Sequence, residues 1–60
     1  MITVNGHKIE WQEGMTIRDI LNTMRYTFRM LVIKVDGKLI PKTDYDTTTV
    51  PDNAEVHVIH

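Results

Sequence analysis

Three histidines, eight carboxylate side chains and a run of three threonines are the residues in this chain with the means to do chemistry. A strand offers two metal ligands on one face only at i and i+2, and a helix only at turn-related spacings such as i and i+4. His57 and His60 are three apart in what reads as a strand, so they face opposite sides. His7 belongs to a different strand. All three read as surface histidines, and no metal site is expected. Asp44, Asp46, Asp52 and Glu55 are scattered among turn residues. Their spacing matches neither the ligand positions of a calcium loop nor a general acid/base pair. Thr47-Thr48-Thr49 reads as loop rather than nucleophile. No Ser-His-Asp set, phosphate-binding glycine loop or dinucleotide fingerprint is present. The chain has no cysteine, which excludes disulfides, thiolate nucleophiles and Cys-based zinc sites. No catalytic residue and no cofactor are therefore expected.

Composition points the same way. Sixty residues allow one domain, spanning 1–60. A chain this short buries only about 60% of the surface it exposes when unfolded. Apolar residues make up 42% of it, enough for one small core but not for a deep substrate cavity as well. Seven basic and eight acidic side chains nearly cancel. A nucleic-acid binder normally carries a basic excess, and a disordered tail carries a high net charge. The longest apolar run, Met30 to Ile33, is far too short to span a bilayer. Met1 to Gly6 reads directly into a strand and shows no signal peptide. A secreted domain of this size would usually need disulfide staples, so a cytoplasmic protein is expected.

The elements that would position these residues follow from local signals. Met1 to Asn5 alternates, with Ile2 and Val4 on one face. Asn5-Gly6 is a hairpin signal, because a type I′ turn needs positive φ at both central residues. The return strand is expected over His7 to Trp11, with Ile9 and Trp11 sharing a face. Thr16 then reads as a helix N-cap, with Asp19 completing a capping box and Met15 and Ile20 at the spacing of a hydrophobic staple. Ile17, Ile20, Leu21 and Met24 form one apolar stripe. The helix is expected over residues 17–26, with Arg25 in its last turn, where a cation suits the dipole. Phe28 is expected to close the core from the following loop.

Leu31 to Asp36 reads as a third strand, with Leu31, Ile33 and Val35 on one face and Val32 and Lys34 on the other. Asp36-Gly37 is a second tight-turn signal. Lys38 to Ile40 is a short fourth strand that Pro41 stops as an edge. Lys42 to Thr49 is polar, with Tyr45 expected to pack over the rim. Pro51-Asp52-Asn53 turns the chain into a last strand over Ala54 to His60. There Val56 and Val58 point one way, and Glu55, His57 and Ile59 the other. Lys34, Lys38 and Lys42 surround the second hairpin. Lys34 and Lys42 suit contact with an acidic partner surface, and the group equally suits a solvated edge protected from aggregation.

Several of these stretches together resemble the ThiS family of ubiquitin-like sulfur carriers. Gly14-Met15-Thr16-Ile17-Arg18-Asp19-Ile20-Leu21 is similar to the start of that family's helix. Val35-Asp36-Gly37-Lys38-Leu39-Ile40-Pro41-Lys42 is similar to its third strand, turn, fourth strand and Pro-basic stop. Tyr45 stands where the family usually has an aromatic residue, often Trp. Val50 to Val56 resembles the last turn and strand, and Met1 to Gly6 the opening hairpin. The resemblance covers the whole chain, and its specificity lies in the order and spacing of the pieces.

The resemblance implies an α+β, β-grasp (ubiquitin-like) fold, ββαββ, with one helix on a four-stranded mixed sheet. It puts the first and last strands side by side and parallel at the centre, with the last strand beside the third. His57 and Ile59 then share the open face with Val32 and Lys34. Val32, His57 and Ile59 form an apolar patch there, and Val32, Lys34, His57, Ile59 and His60 are the expected partner-binding residues. Isolated exposed apolar residues are also ordinary, but grouped ones tend to mark interaction sites.

The resemblance further implies a carrier in thiamin (thiazole) biosynthesis. The C-terminal carboxylate of such a carrier is adenylated by an E1-like, ThiF-like adenylyltransferase using ATP, and then receives sulfur from a persulfide as a thiocarboxylate. A ThiG-like thiazole synthase takes up that sulfur. Carriers of this kind end in Gly-Gly, whereas this sequence ends at His60. Asn53-Ala54 also replaces the frequent Gly-Asp. A chain trimmed before its tail and a carrier-like protein without one both fit. Two alternatives belong beside the carrier: a MoaD-like subunit of molybdopterin synthesis, and a β-grasp binding module that docks through the open face.

Overall fold

The computed structural model describes residues 1–27 and 29–60, and Phe28, with the core-closing role expected of it, lies outside the described residues. Among the described residues the strands are β1 (Ile2–Val4), β2 (His7–Ile9), β3 (Val32–Val35), β4 (Lys38–Ile40) and β5 (Glu55–Ile59). One α-helix, α1 (Ile17–Thr23), follows β2, and a single 3₁₀ turn covers Lys42–Asp44. The five strands form one mixed sheet in the order β2-β1-β5-β3-β4, which corrects the expected four-stranded sheet. The fifth strand is no addition to the alternating segments read from the sequence. Each of them pairs into the same sheet, β2 and β4 as its two edges.

The pairing implied by the β-grasp resemblance is present. β1 and β5 run parallel, with Thr3 opposite Glu55 and Val4 opposite Val56. β5 runs antiparallel to β3, pairing Val32 with Ile59 and Lys34 with His57. β5 is thus central, although it is the last strand made. Both tight turns take the conformation their residues favour. Asn5 and Gly6 have φ of 50° and 84°, and Asp36 and Gly37 have φ of 49° and 83°. Positive φ at both central residues fixes a two-residue hairpin and with it the register.

β2 ends at Ile9, two residues before the expected end at Trp11. Its partner has run out there. Ile2 is opposite Ile9, while the Met1 ammonium bonds Asp52 at 2.7 Å and the Met1 carbonyl accepts from Asn53 N at 3.0 Å. Trp11 still packs against the core, half-buried, and its indole N–H donates to the Val50 carbonyl at 2.7 Å.

The start of α1 is as expected. Thr16 caps Asp19 N, and the Asp19 carboxylate accepts from Thr16 N at 2.9 Å, a complete capping box. The remaining unsatisfied donors of the first turn go to the segment before Val50. Ile17 N reaches the Thr48 carbonyl at 3.2 Å and Arg18 N the Tyr45 carbonyl at 2.9 Å. A helix start leaves such donors without helical partners, so this segment completes the helix. The threonine run therefore serves by its backbone.

The helix ends three residues before the expected limit of 26. Arg25 takes a left-handed φ of 56°. Its N–H donates to the Asn22 carbonyl at 3.2 Å, and Tyr26 N donates to the Leu21 carbonyl at 2.9 Å. These are the two bonds of a Schellman stop, made here with arginine where glycine is usual. Arg25 consequently lies past the last turn, not within it.

The core lies between α1 and one face of the sheet. Ile17, Ile20 and Leu21 meet Ile2, Val4, Ile33, Val56 and Val58. Tyr45, expected over the rim, is itself core, at 3% exposed. Its hydroxyl donates to the Leu31 carbonyl at 3.4 Å. Satisfying that one polar atom is what lets the ring be buried. β3 is accordingly shorter than expected, since Leu31 meets Tyr45 and Asp36 is committed to the turn. Among the described residues, no helix is long and apolar enough to cross a membrane.

Candidate functional site

The open face of the sheet is built by the alternation of β5, whose burial runs exposed, buried, exposed, buried, exposed from Glu55 to Ile59. Val56 and Val58 enter the core, while Glu55, His57 and Ile59 face away from the helix, as the sequence predicts. Strand pairing then sets their neighbours. Ile59 is opposite Val32, and His57 opposite Lys34, which is in turn opposite Leu39. Val32 and Ile59 are 44% and 52% exposed. Of the large exposed hydrophobic side chains among the described residues, Met30, Val32 and Ile59 gather at the end of the sheet where β5 finishes, and Leu39 lies one row further along, opposite Lys34.

A shallow depression of about 410 Å³ marks that end, lined by Arg29, Met30, Leu31, Val32, Lys42, Ile59 and His60. The structure thus brings Val32, Ile59 and His60 together. It places Lys34 and His57 one row further along the same face. His57 Nε2 lies 3.1 Å from Glu55 Oε1, an ion pair when the imidazole is protonated. The three lysines of the second hairpin separate. Lys42 joins the depression, Lys34 sits mid-face, and Lys38 is opposite Val35 at the far end of β4. Apolar centre and basic margin make a surface suited to an apolar partner patch with acidic residues at its rim.

Met30, Leu39 and Arg29 were not among the residues singled out from the sequence. Leu39 was within reach of it. A two-residue turn at Asp36-Gly37 pairs Lys34 with Leu39 and Ile33 with Ile40, so if Ile33 points inward, Leu39 must point outward. Met30 and Arg29 lie in an irregular segment with no periodicity to read.

The turn leading into β5 has its own electrostatics. The hydrogen bond from the N-terminal ammonium, reinforced by its charge and by the Asn53 N–H, holds the Asp52 carboxyl below the usual carboxylate range. On the helix flank, Arg18 Nε bonds Asp46 at 2.9 Å, and its guanidinium lies 5.7 Å from the centre of the Tyr45 ring. Among the described residues, no three of His, Asp or Glu gather closely enough to hold a metal ion. A second concavity of about 490 Å³ lies between β2 and the helix, with Glu10, Glu13 and Asp19 at its edge. Asp19 is already engaged in the helix cap, and none of the residues expected to bind partners lines that groove.

The solved structures include a similar protein, the thiamine biosynthesis protein (ThiS) from Geobacter metallireducens. It aligns over 98% of this chain and 90% of its own length, at 21% identity and a TM-score of 0.82. At that identity the likeness speaks for a shared fold. The sequence itself matches the model of the ThiS family across residues 2–60, nearly its whole length. The strand order, the central parallel β1–β5 pair and this end-to-end match agree, and the chain belongs to the ThiS family.

Proposed function

We propose that this protein is a sulfur carrier of thiamin (thiazole) biosynthesis, loaded and unloaded by partner enzymes and without catalysis of its own. The observation that carries this reading is the placement of β5. The strand is paired on both sides, yet it finishes at the rim beside Met30, Val32 and Ile59. Chain continuing from there leaves a rigid strand next to an apolar docking surface. A partner can grip the fold and reach the outgoing chain at the same time.

The chemistry of such a carrier needs little from the fold. A carboxylate oxygen bonds the α-phosphorus of ATP as pyrophosphate leaves, giving a mixed anhydride with a good leaving group. A persulfide sulfur then attacks the carbonyl carbon and displaces AMP. Cleavage of the resulting S–S bond by a thiol leaves a thiocarboxylate. An E1-like, ThiF-like adenylyltransferase suits the first step, and a ThiG-like thiazole synthase suits uptake of the sulfur. In this reading Val32, Lys34, His57, Ile59 and His60 contact the partner, joined by Met30 and Leu39. Their role is to hold and orient the carrier, which raises the effective concentration of its end at the partner's active site.

The test is the intact mass of the native protein after incubation with an adenylyltransferase of this kind, ATP and a persulfide donor. Replacement of one oxygen by one sulfur is the expected result. An unchanged mass, with the partner shown to be active on another carrier, would overturn the reading. The apolar patch favours a second reading, a binding module docking through the open face. Partner capture that depends on Ile59 but brings no mass change would support it.

A further inference from the structure

β5 outruns its neighbour. β1 bonds alternate residues at the start of β5, with Thr3 N donating to the carbonyl of Ala54, just before the strand, at 3.0 Å and Asn5 N to the Val56 carbonyl at 2.9 Å. Val58 comes next in that series, but β1 has already reversed at Asn5-Gly6. The Asn5 side chain supplies what the backbone no longer can. Its Nδ2 donates to the Val58 carbonyl at 3.0 Å, and Val58 N donates to its Oδ1 at 2.8 Å. A carboxamide offers a donor and an acceptor in one plane, as a peptide unit does. It stands in for one more residue of β1. Both bonds are part-buried and join groups 53 residues apart. At the other end and other edge of β5, Asp36 acts in a similar way. Its carboxylate accepts from Glu55 N at 2.8 Å, and its own N–H donates to the Glu55 carbonyl at 2.8 Å.

The turn alone does not call for the amide. Position 5 needs a residue that tolerates positive φ, and glycine does so with no side chain. We infer that Asn5 is a positioning residue for delivery: its carboxamide holds β5 in the sheet through Val58, so that the chain leaves the fold in one fixed direction beside Ile59. This rests on the carrier reading. Without the two bonds the strand would be tied to the β1 side only as far as Val56. A frayed exit must then be ordered when a partner takes hold of it, which weakens docking and leaves the bound chemistry as it was.

Two substitutions separate this role from general stability. Asn5→Gly keeps the turn and removes both bonds. Asn5→Asp keeps an acceptor for Val58 N–H and loses the donor. Hydrogen exchange followed by NMR on the full chain compares the Val58 amide with that of Ile33 in the core. With each bond contributing on the order of 1 kcal/mol, the ratio of their exchange rates is expected to rise roughly 30-fold in Asn5→Gly, which loses both, and less in Asn5→Asp. An unchanged ratio overturns the clamp. Pyrophosphate release with the adenylyltransferase and ATP, at a temperature where every variant is fully folded, reads the second half. The KM for the carrier is expected to rise about 3- to 10-fold in Asn5→Gly with kcat held, and by less in Asn5→Asp. Equal KM values overturn the inference alone, while no release from the wild type overturns the carrier reading and the delivery role with it.

Discussion

Val56 and Val58 on one side of β5 are 0% and 9% exposed, while Ile59, the next residue but two after Val56, is 52% exposed on the other. All three are β-branched aliphatics in the same five-residue strand, so neither side-chain type nor propensity separates them. The helix does. α1 covers one face of the sheet with Ile17, Ile20 and Leu21, and nothing in this chain's described residues plays that part on the face bearing Val32 and Ile59. On the covered face, apolar surface has been removed from water and stabilises the fold. On the open face the same kind of surface remains in water, and under the proposed carrier reading a partner would remove it. The two faces should therefore respond to mutation in different assays.

The largest effect belongs to the covered face. Ile33→Ala deletes buried methylenes at a fully buried position and should lower the unfolding free energy by about 2–5 kcal/mol, measured by urea denaturation. For a domain this small, that is a large part of the total. A loss below 1 kcal/mol would mean that the helix-side core is looser than its burial implies. Ile59→Glu should do the reverse. Stability should change by about 1 kcal/mol or less, because the side chain is already half in water. Under the proposed carrier reading, affinity for the adenylating partner should fall at least about tenfold in titration calorimetry. Unfolding by Ile59→Glu, or intact binding, would erase the distinction between the faces.

A smaller effect is expected where the helix ends. Arg25 occupies a left-handed position at a cost on the order of 1 kcal/mol. Arg25→Gly should relieve most of it, offset in part by the greater freedom of glycine in the unfolded chain. The melting temperature should rise by a few degrees at most, with partner affinity unchanged. A fall in melting temperature would show that the Arg25 side chain supports the fold in some other way.

The smallest effect concerns the exposed pair between the Met1 ammonium and Asp52 at the entry to β5. The folded carboxyl is held below its unfolded value, so its contribution is present above the usual carboxylate range and is lost as pH falls through the folded value. Asp52→Asn should slightly lower the melting temperature at neutral pH and flatten its decline on acidification below that range. Identical acid profiles for the two proteins would remove the pair from the account. An exposed pair of this kind is worth little in any case.

Much of this was legible in the chain, element by element. The alternation of β1, β3 and β5, the turns at Asn5-Gly6 and Asp36-Gly37, and the capping box at Thr16 and Asp19 all appear as read. The inward and outward residues of β5 were assigned correctly, and with them the exposed positions of Val32, His57 and Ile59. The misreadings share a cause. In sequence the helix reads on to residue 26, since no glycine marks its end and the left-handed Arg25 has no residue-type signal. Tyr45 reads as a rim residue, standing alone in a polar stretch where no periodicity shows that its ring turns inward and its hydroxyl finds Leu31.

Local chemistry along the chain specifies its pieces: which segments alternate, where the chain must take positive φ, and where a helix can begin. These depend on residues within a few positions of one another, so their chemistry can be read in place. That β5 lies between β1 and β3, that Met30, Val32 and Ile59 meet at its end, and that the Asn5 amide reaches Val58 follow only from the folded whole. Those meetings join residues distant in the chain. They are settled by how the helix stripe and the sheet bury one another, a condition on the whole molecule that no short stretch of it records.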